Sequence, residues 1–323
     1  MNPLLIEIVV LLLGFVLLSK GADTLVDGGV GLAQRWGMDA TIIGLTVIAW
    51  GTSMPEIVVV SYASYTGKAG AALGTVLGSN VANIGLVLGV TALILPRVLL
   101  QGIGRREIFW LFASLGLLTF LAWDGALDRQ DAGILLGAFA LYEVLLFMAP
   151  RNKEDAMGDQ EEVAAHSIKK PGRAVLMGSV VIAVGARCIM YGGEGIATRF
   201  GISQAVIGLT IFAVGTSLPE LAAGIGSARR GHAGLGLGNV LGSNVFNTLG
   251  VLGIAAMIRP IELDPASLAA LQDRDLWVNG AFCLALIGMP LYLGKKFGRL
   301  QASVLLSGYV AYMAYLFLDG KLL

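Results

Sequence analysis

Gly51-Thr52-Ser53-Met54-Pro55-Glu56 lies inside an apolar run, Ala40 to Tyr62, long enough to cross a bilayer. A helix cannot pass cleanly through Pro55, whose ring has no N–H to donate and clashes with the carbonyl one turn back. Gly51 loosens the same turn. The run therefore breaks at mid-depth, beside two hydroxyls and a carboxylate. Irregular backbone at that depth survives only where it is buried in protein or lines a wet cavity, and an acidic residue there points to function. The same pattern returns 164 positions later as Gly215-Thr216-Ser217-Leu218-Pro219-Glu220, in another apolar run.

Composition agrees with a membrane setting. Only 14% of the 323 residues are charged and 56% are hydrophobic, with a mean hydropathy of +0.79; soluble domains carry about a quarter charged residues. The 45 glycines suit helices packed closely through small residues. Zero net charge gives no sign of a nucleic-acid partner. Cys188 and Cys283 both sit in apolar runs and read as small buried side chains. The first run, Leu4 to Leu18, follows a segment with no Lys or Arg and carries Glu7. It reads as a retained first helix rather than a cleaved signal.

Ten spans are predicted, near 4–33, 39–66, 72–96, 104–123, 130–149, 172–198, 203–228, 235–258, 275–294 and 301–318. The expected organisation is a first five-helix repeat over 1–149, a polar linker over 150–171 and a second repeat over 172–323. The halves align without a gap from Gly21/Gly185 to Pro96/Pro260. Arg35-Trp36-Gly37 answers Arg199-Phe200-Gly201, and Ile43-Gly44-Leu45-Thr46 answers Ile207-Gly208-Leu209-Thr210. An odd number of spans per half turns the second half over, which predicts an inverted repeat with its site at the midplane. Lys and Arg favour the loops after the odd-numbered spans, fourteen against six on the other side. By the positive-inside rule this puts the linker in the cytoplasm and both termini outside.

Each half offers a second broken segment, Gly78-Ser79-Asn80-Val81-Ala82-Asn83 and Gly242-Ser243-Asn244-Val245-Phe246-Asn247. With the first pair these supply Thr52, Ser53, Glu56, Ser79, Asn80 and Asn83, and Thr216, Ser217, Glu220, Ser243, Asn244 and Asn247. All are oxygen donors. The two histidines, His166 and His232, fall in loops. Oxygen-only ligation suits a hard cation such as Ca²⁺, which takes six to eight oxygens, and argues against zinc, copper or nickel. The breaks add backbone carbonyls, since Pro55 and Pro219 leave those of Gly51 and Gly215 without their helical partners. Glu56 and Glu220, from opposite repeats, should meet near the pseudo-two-fold axis. Alone they would repel and one would take a proton; one divalent ion or several monovalent ions would compete for the same oxygens. Kinks with Ser and Thr bonded back to the helix would explain one such motif, but two intramembrane glutamates in inverted halves are not expected of idle kinks.

These doubled motifs resemble the α-repeats of the cation/Ca²⁺ exchanger superfamily, in the sodium/calcium antiporter branch of bacterial inner membranes. The resemblance implies an all-α fold of ten transmembrane helices in two inverted five-helix repeats, with alternating access by sliding of spans 1 and 6. It implies an antiporter rather than an enzyme, with Na⁺ and Ca²⁺ as transported ions, the bilayer as its surroundings and no separate cofactor. Glu56 and Glu220 would ligate Ca²⁺. Thr52, Ser53, Ser79, Thr216, Ser217 and Ser243, with the carbonyls of Ala49 and Ala213, would ligate Na⁺, and Asn83 matches the family's asparagine. Some members carry Asp where this chain has Asn247, so two central carboxylates stand here in place of three acidic groups. Proton-coupled Ca²⁺ exchange on the same fold is the alternative; its usual Gly-Asn-x-x-Glu motif with a nearby His is missing. A serine protease would need a base beside Ser53 or Ser217, and neither motif holds one.

Three expectations concern other charges and Trp50. Lys20 and Asp23, one turn apart, can pair. Glu7 and Glu194 belong near interfaces. Trp50 is a packing or lipid-contact residue.

Overall fold

The computed structural model describes residues 3–94, 105–148, 169–200, 213–293 and 298–322. The linker expected over 150–171 and the start of the seventh span, 203–212, lie almost wholly outside the described residues. The rods that are described follow the predicted spans. They are α1 (Pro3–Trp36), the bent pair α2 (Ala40–Thr52) and α3 (Met54–Tyr65), α4 (Ala69–Ile94), α5 (Arg105–Leu121) and α6 (Arg129–Phe147). In the second half come α7 (Pro171–Arg199), α8 (Ala213–Thr216), α9 (Leu218–Arg229) and α10 (Gly234–Ile258). Three further helices, α11 (Pro265–Ala270), α12 (Leu276–Leu293) and α13 (Arg299–Leu322), close the chain. Among the described residues, five helices are long and apolar enough to cross a membrane, or six with α2 and α3 taken as one span.

The ninth span begins earlier than expected. It opens at Pro265, capped by Asp264, and a π-turn over Leu271–Asp275 joins α11 to α12. Strands β1 (Ala126–Leu127) and β2 (Ile261–Glu262) pair antiparallel. They tie the loop before α6 to the loop after α10. Two residues are too few for an alternating pattern to show in sequence.

α1 and α7 run antiparallel with their backbones in contact. Gly14, Gly21 and Gly28 repeat every seven residues, and so do Gly178, Gly185 and Gly192. A Cβ on Gly185 would lie 2.8 Å from the Leu18 amide nitrogen, and one on Gly178 2.6 Å from that of Leu25. One on Gly21 would lie 2.8 Å from the Ile182 amide nitrogen. Small residues let membrane helices approach this closely. Their opposite chain directions are those required of equivalent helices in an inverted repeat. Arg199 closes one end of the pair on Glu7, with Nε 2.6 Å from Oε2.

The expected Lys20–Asp23 pair does not form as the main contact of Asp23. Arg230, at the end of α9, donates Nη1 to Asp23 Oδ1 and places Nε on Asp27 Oδ1, both at 3.0 Å. A guanidinium supplies several donors in a fixed fork and reaches across from another helix, which helix-local spacing cannot reveal. The main core lies between α4, α5, α6, α10 and α12, and includes Leu88, Leu118, Leu135, Tyr142, Phe246 and Leu286.

Candidate cation site

Both Gly-Thr-Ser-x-Pro-Glu motifs break their helices in the same way. α2 ends at Thr52, and Ser53 takes φ −88° and ψ 7°. α3 then restarts with Pro55 in its first turn, where a missing N–H costs nothing. The two segments meet at 50°. In the second half Ser217 takes φ −91° and ψ 4°, and α9 restarts with Pro219. Each break therefore falls at the serine, two residues before the proline. Each glutamate lands in the first turn of the restarted helix, where free backbone N–H groups favour a negative charge.

The second pair of motifs meets the first, through Ser53 with Ser243 and Ser79 with Thr216. A π-turn begins at Asn83 and runs to Leu88, and its counterpart runs Phe246–Val251 and contains Asn247. Such turns frequently mark functional sites. They place the asparagines of opposite halves against one another. Asn83 Nδ2 donates to Asn244 Oδ1 at 3.0 Å. Asn247 Nδ2 donates to Asn80 Oδ1 at 3.3 Å, and Asn80 Nδ2 to Thr248 Oγ1 at 2.9 Å. Ser79 Oγ lies 3.4 Å from Thr216 Oγ1. The Ser53 hydroxyl donates to Glu220 Oε1 at 2.9 Å, with Ser243 Oγ 3.1 Å away.

Glu56 and Glu220 are 0% and 1% exposed. Several oxygens around them are buried without a hydrogen-bond partner: both carboxylate oxygens of Glu56, Glu220 Oε2, Asn83 Oδ1, Asn247 Oδ1 and Ser217 Oγ. Buried polar atoms are almost always satisfied, and an uncompensated buried carboxylate is very costly. Of these six orphaned oxygens, five belong to carboxylates and amides drawn from both repeats, a donor set that fits a hard cation.

Every residue named from the sequence that is described thus lies in or beside this cluster. Thr52, Ser53, Ser79, Asn83, Ser217, Ser243 and Asn247 are all buried. The Ala49 carbonyl accepts the Ser53 N–H at 3.0 Å and lies 3.3 Å from Thr52 Oγ1. Ala213 opens α8, and its side chain lies outside the described set. Two residues were not anticipated. Asn239 accepts the Thr52 hydroxyl at 3.0 Å, and Thr248 holds Asn80. Neither belongs to a motif, and only their place one turn from Ser243 and Asn244 hints at the site.

Trp50 packs inward as well as facing outward. Its ring stacks on Phe246 with centroids 5.2 Å apart and lies 5.6 Å from Phe139. Its indole N–H reaches Glu143 Oε1 at 3.2 Å. It therefore links the residue before the first motif to the residue before Asn247.

Comparison with known proteins agrees with this geometry. The chain matches the sodium/calcium exchanger protein family over residues 6–148 and 173–318. It is 37% identical to the putative antiporter CaxA of Alkalimonas amylolytica, over 97% of this chain and 99% of that protein. It is 32% identical to the inner membrane protein YrbG of Escherichia coli (97% and 98%), and 29% identical to the sodium/calcium exchanger MaX1 of Methanosarcina acetivorans (97% and 99%). Among solved structures, the sodium-calcium exchanger NCX_Mj soaked with Na⁺ and Sr²⁺ superposes with a TM-score of 0.77 at 30% identity, covering 96% of this chain and 98% of that one. With its two matched repeats and its multi-pass helical fold, this chain is a transporter rather than an enzyme, and it belongs to the sodium/calcium exchanger family.

Proposed function

We propose that this protein exchanges Na⁺ for Ca²⁺ across the membrane by alternating access to one shared midplane site. The observation that carries the reading is the pair of buried carboxylates, Glu56 and Glu220, one from each repeat, among oxygens that lack partners. One Ca²⁺ neutralises the pair and takes the orphaned oxygens of Glu56, Glu220, Asn83 and Asn247. Na⁺ is held by Thr52, Ser53, Ser79, Thr216, Ser217 and Ser243 with the carbonyls of Ala49 and Ala213. Because the two ion sets draw on adjoining oxygens and the same two charges, occupancy by one opposes the other, which is the physical basis of antiport. The names of MaX1 and NCX_Mj support sodium as the coupling ion. The lysines and arginines in the loops support a cytoplasmic linker and external termini, and the inner-membrane relative YrbG supports that location.

Isotopic Ca²⁺ uptake into proteoliposomes, with Na⁺, H⁺ and K⁺ gradients imposed one at a time, tests this. Uptake driven by the Na⁺ gradient alone is expected. Uptake that follows only a pH gradient would replace sodium by protons as the coupling ion.

A further inference from the structure

We infer that Asn239 is a positioning residue for the monovalent cation: it takes the hydroxyl hydrogen of Thr52 and so turns that oxygen's lone pairs toward the site. The inference rests on the sodium reading above, in which Thr52 is a ligand.

A hydroxyl has one hydrogen and two lone pairs, and to ligate a cation it must point its hydrogen elsewhere. Thr52 has two acceptors at hydrogen-bond distance and geometry, and the Glu220 carboxylate also stands near its hydroxyl. One is Asn239 Oδ1 at 3.0 Å; the other is the Ala49 carbonyl at 3.3 Å. That carbonyl already accepts the Ser53 N–H and is itself a proposed ligand. Donation to Asn239 therefore frees two oxygens at once, the hydroxyl of Thr52 and the remaining lone pair of Ala49.

The contact is built rather than incidental. Asn239 stands one turn before Ser243 on α10, where Gly238 and Gly242 let that helix meet α2 backbone to backbone. A Cβ on Gly242 would sit 2.7 Å from Leu45 Cα, and one on Gly238 2.9 Å from the Leu45 amide nitrogen. Asn239 is 1% exposed, and its Nδ2 has no partner. An asparagine present only to hold the fold would be expected to satisfy both ends of its amide. The equivalent position in the first half is Thr75, which donates to Ala71 O on its own helix at 2.7 Å. The residue at this place therefore differs between the two halves, asparagine in one and threonine in the other.

The test uses the full-length protein in proteoliposomes with Asn239→Leu and Asn239→Asp. Two fluxes are compared: Na⁺-driven Ca²⁺ uptake at varied Na⁺, and Ca²⁺/Ca²⁺ exchange without Na⁺. Loss of one orienting hydrogen bond predicts about a fivefold rise in half-saturating Na⁺ for N239L. Ca²⁺/Ca²⁺ exchange should stay unchanged. N239D keeps the acceptor and should show no rise. Should N239L fail to fold, Asn239→Thr, with its shorter reach, is expected to give the same rise. An unchanged Na⁺ dependence in folded N239L, or in folded Asn239→Thr where N239L does not fold, would overturn the inference, and so would equal loss of both fluxes in N239L and N239D. Sodium-independent uptake by the unmodified protein would instead overturn the sodium reading, and this inference with it.

Discussion

At the scale of single residues, the proposed exchange rests on Glu56 and Glu220. Glu→Gln keeps the size of each side chain and removes its charge. Either substitution is therefore expected to abolish Ca²⁺ transport while the protein still folds, as checked by flux beside gel filtration. Trp50 acts more gently. Its stacking on Phe139 and Phe246 is worth about 0.5–1.5 kcal/mol per aromatic pair, so Trp50→Ala should lower thermal stability and weaken cation binding through the Phe246-Asn247 segment. Trp50→Phe keeps most of the stacking but loses the bond to Glu143; thermal unfolding and binding should rank it between Ala and the native residue. A rank order with Phe below Ala would contradict this role. The motif residues were legible because each is polar inside an apolar run. Asn239 was not, since it stands outside both motifs and its partner Thr52 lies 187 positions away.

Between elements, the close glycine contacts make α1 and α7 a paired unit. Gly185→Leu would drive a branched side chain into the Leu18 backbone. Overpacking of this kind costs about 1–3 kcal/mol or more, and the variant should unfold at a lower temperature in detergent or fail to accumulate. The seven-residue glycine spacing was present in the sequence, but abundant glycine elsewhere hid it. Arg230 fastens this unit to α9 through Asp23 and Asp27. Its side chain is 31% exposed and those of the aspartates 44%, so water screens the pairs. A double-mutant cycle between Arg230→Ala and Asp23→Ala should give a coupling of about 1 kcal/mol or less, read from thermal unfolding. The Lys20–Asp23 expectation failed here because spacing along one helix says nothing about a cation arriving from another. The π-turns at Asn83 and Phe246 were also illegible; no local residue pattern marks them.

For the molecule as a whole, the doubled sequence carried most of the architecture. Repetition in an odd number of spans implied inversion, and the antiparallel packing of α1 on α7 agrees with it. Span positions followed from apolar runs, whereas the early start at Pro265 depended on a cap and a π-turn that hydropathy averages away. The central claim is that one set of oxygens, gathered from both halves, serves competing cations. Direct Ca²⁺ binding to the purified protein, titrated at rising Na⁺, tests it most directly. The account predicts that Na⁺ shifts the Ca²⁺ curve competitively, without changing its saturation, and that neither E56Q nor E220Q binds Ca²⁺ measurably. Ca²⁺ binding that ignores Na⁺, or that survives intact in either variant, would contradict it.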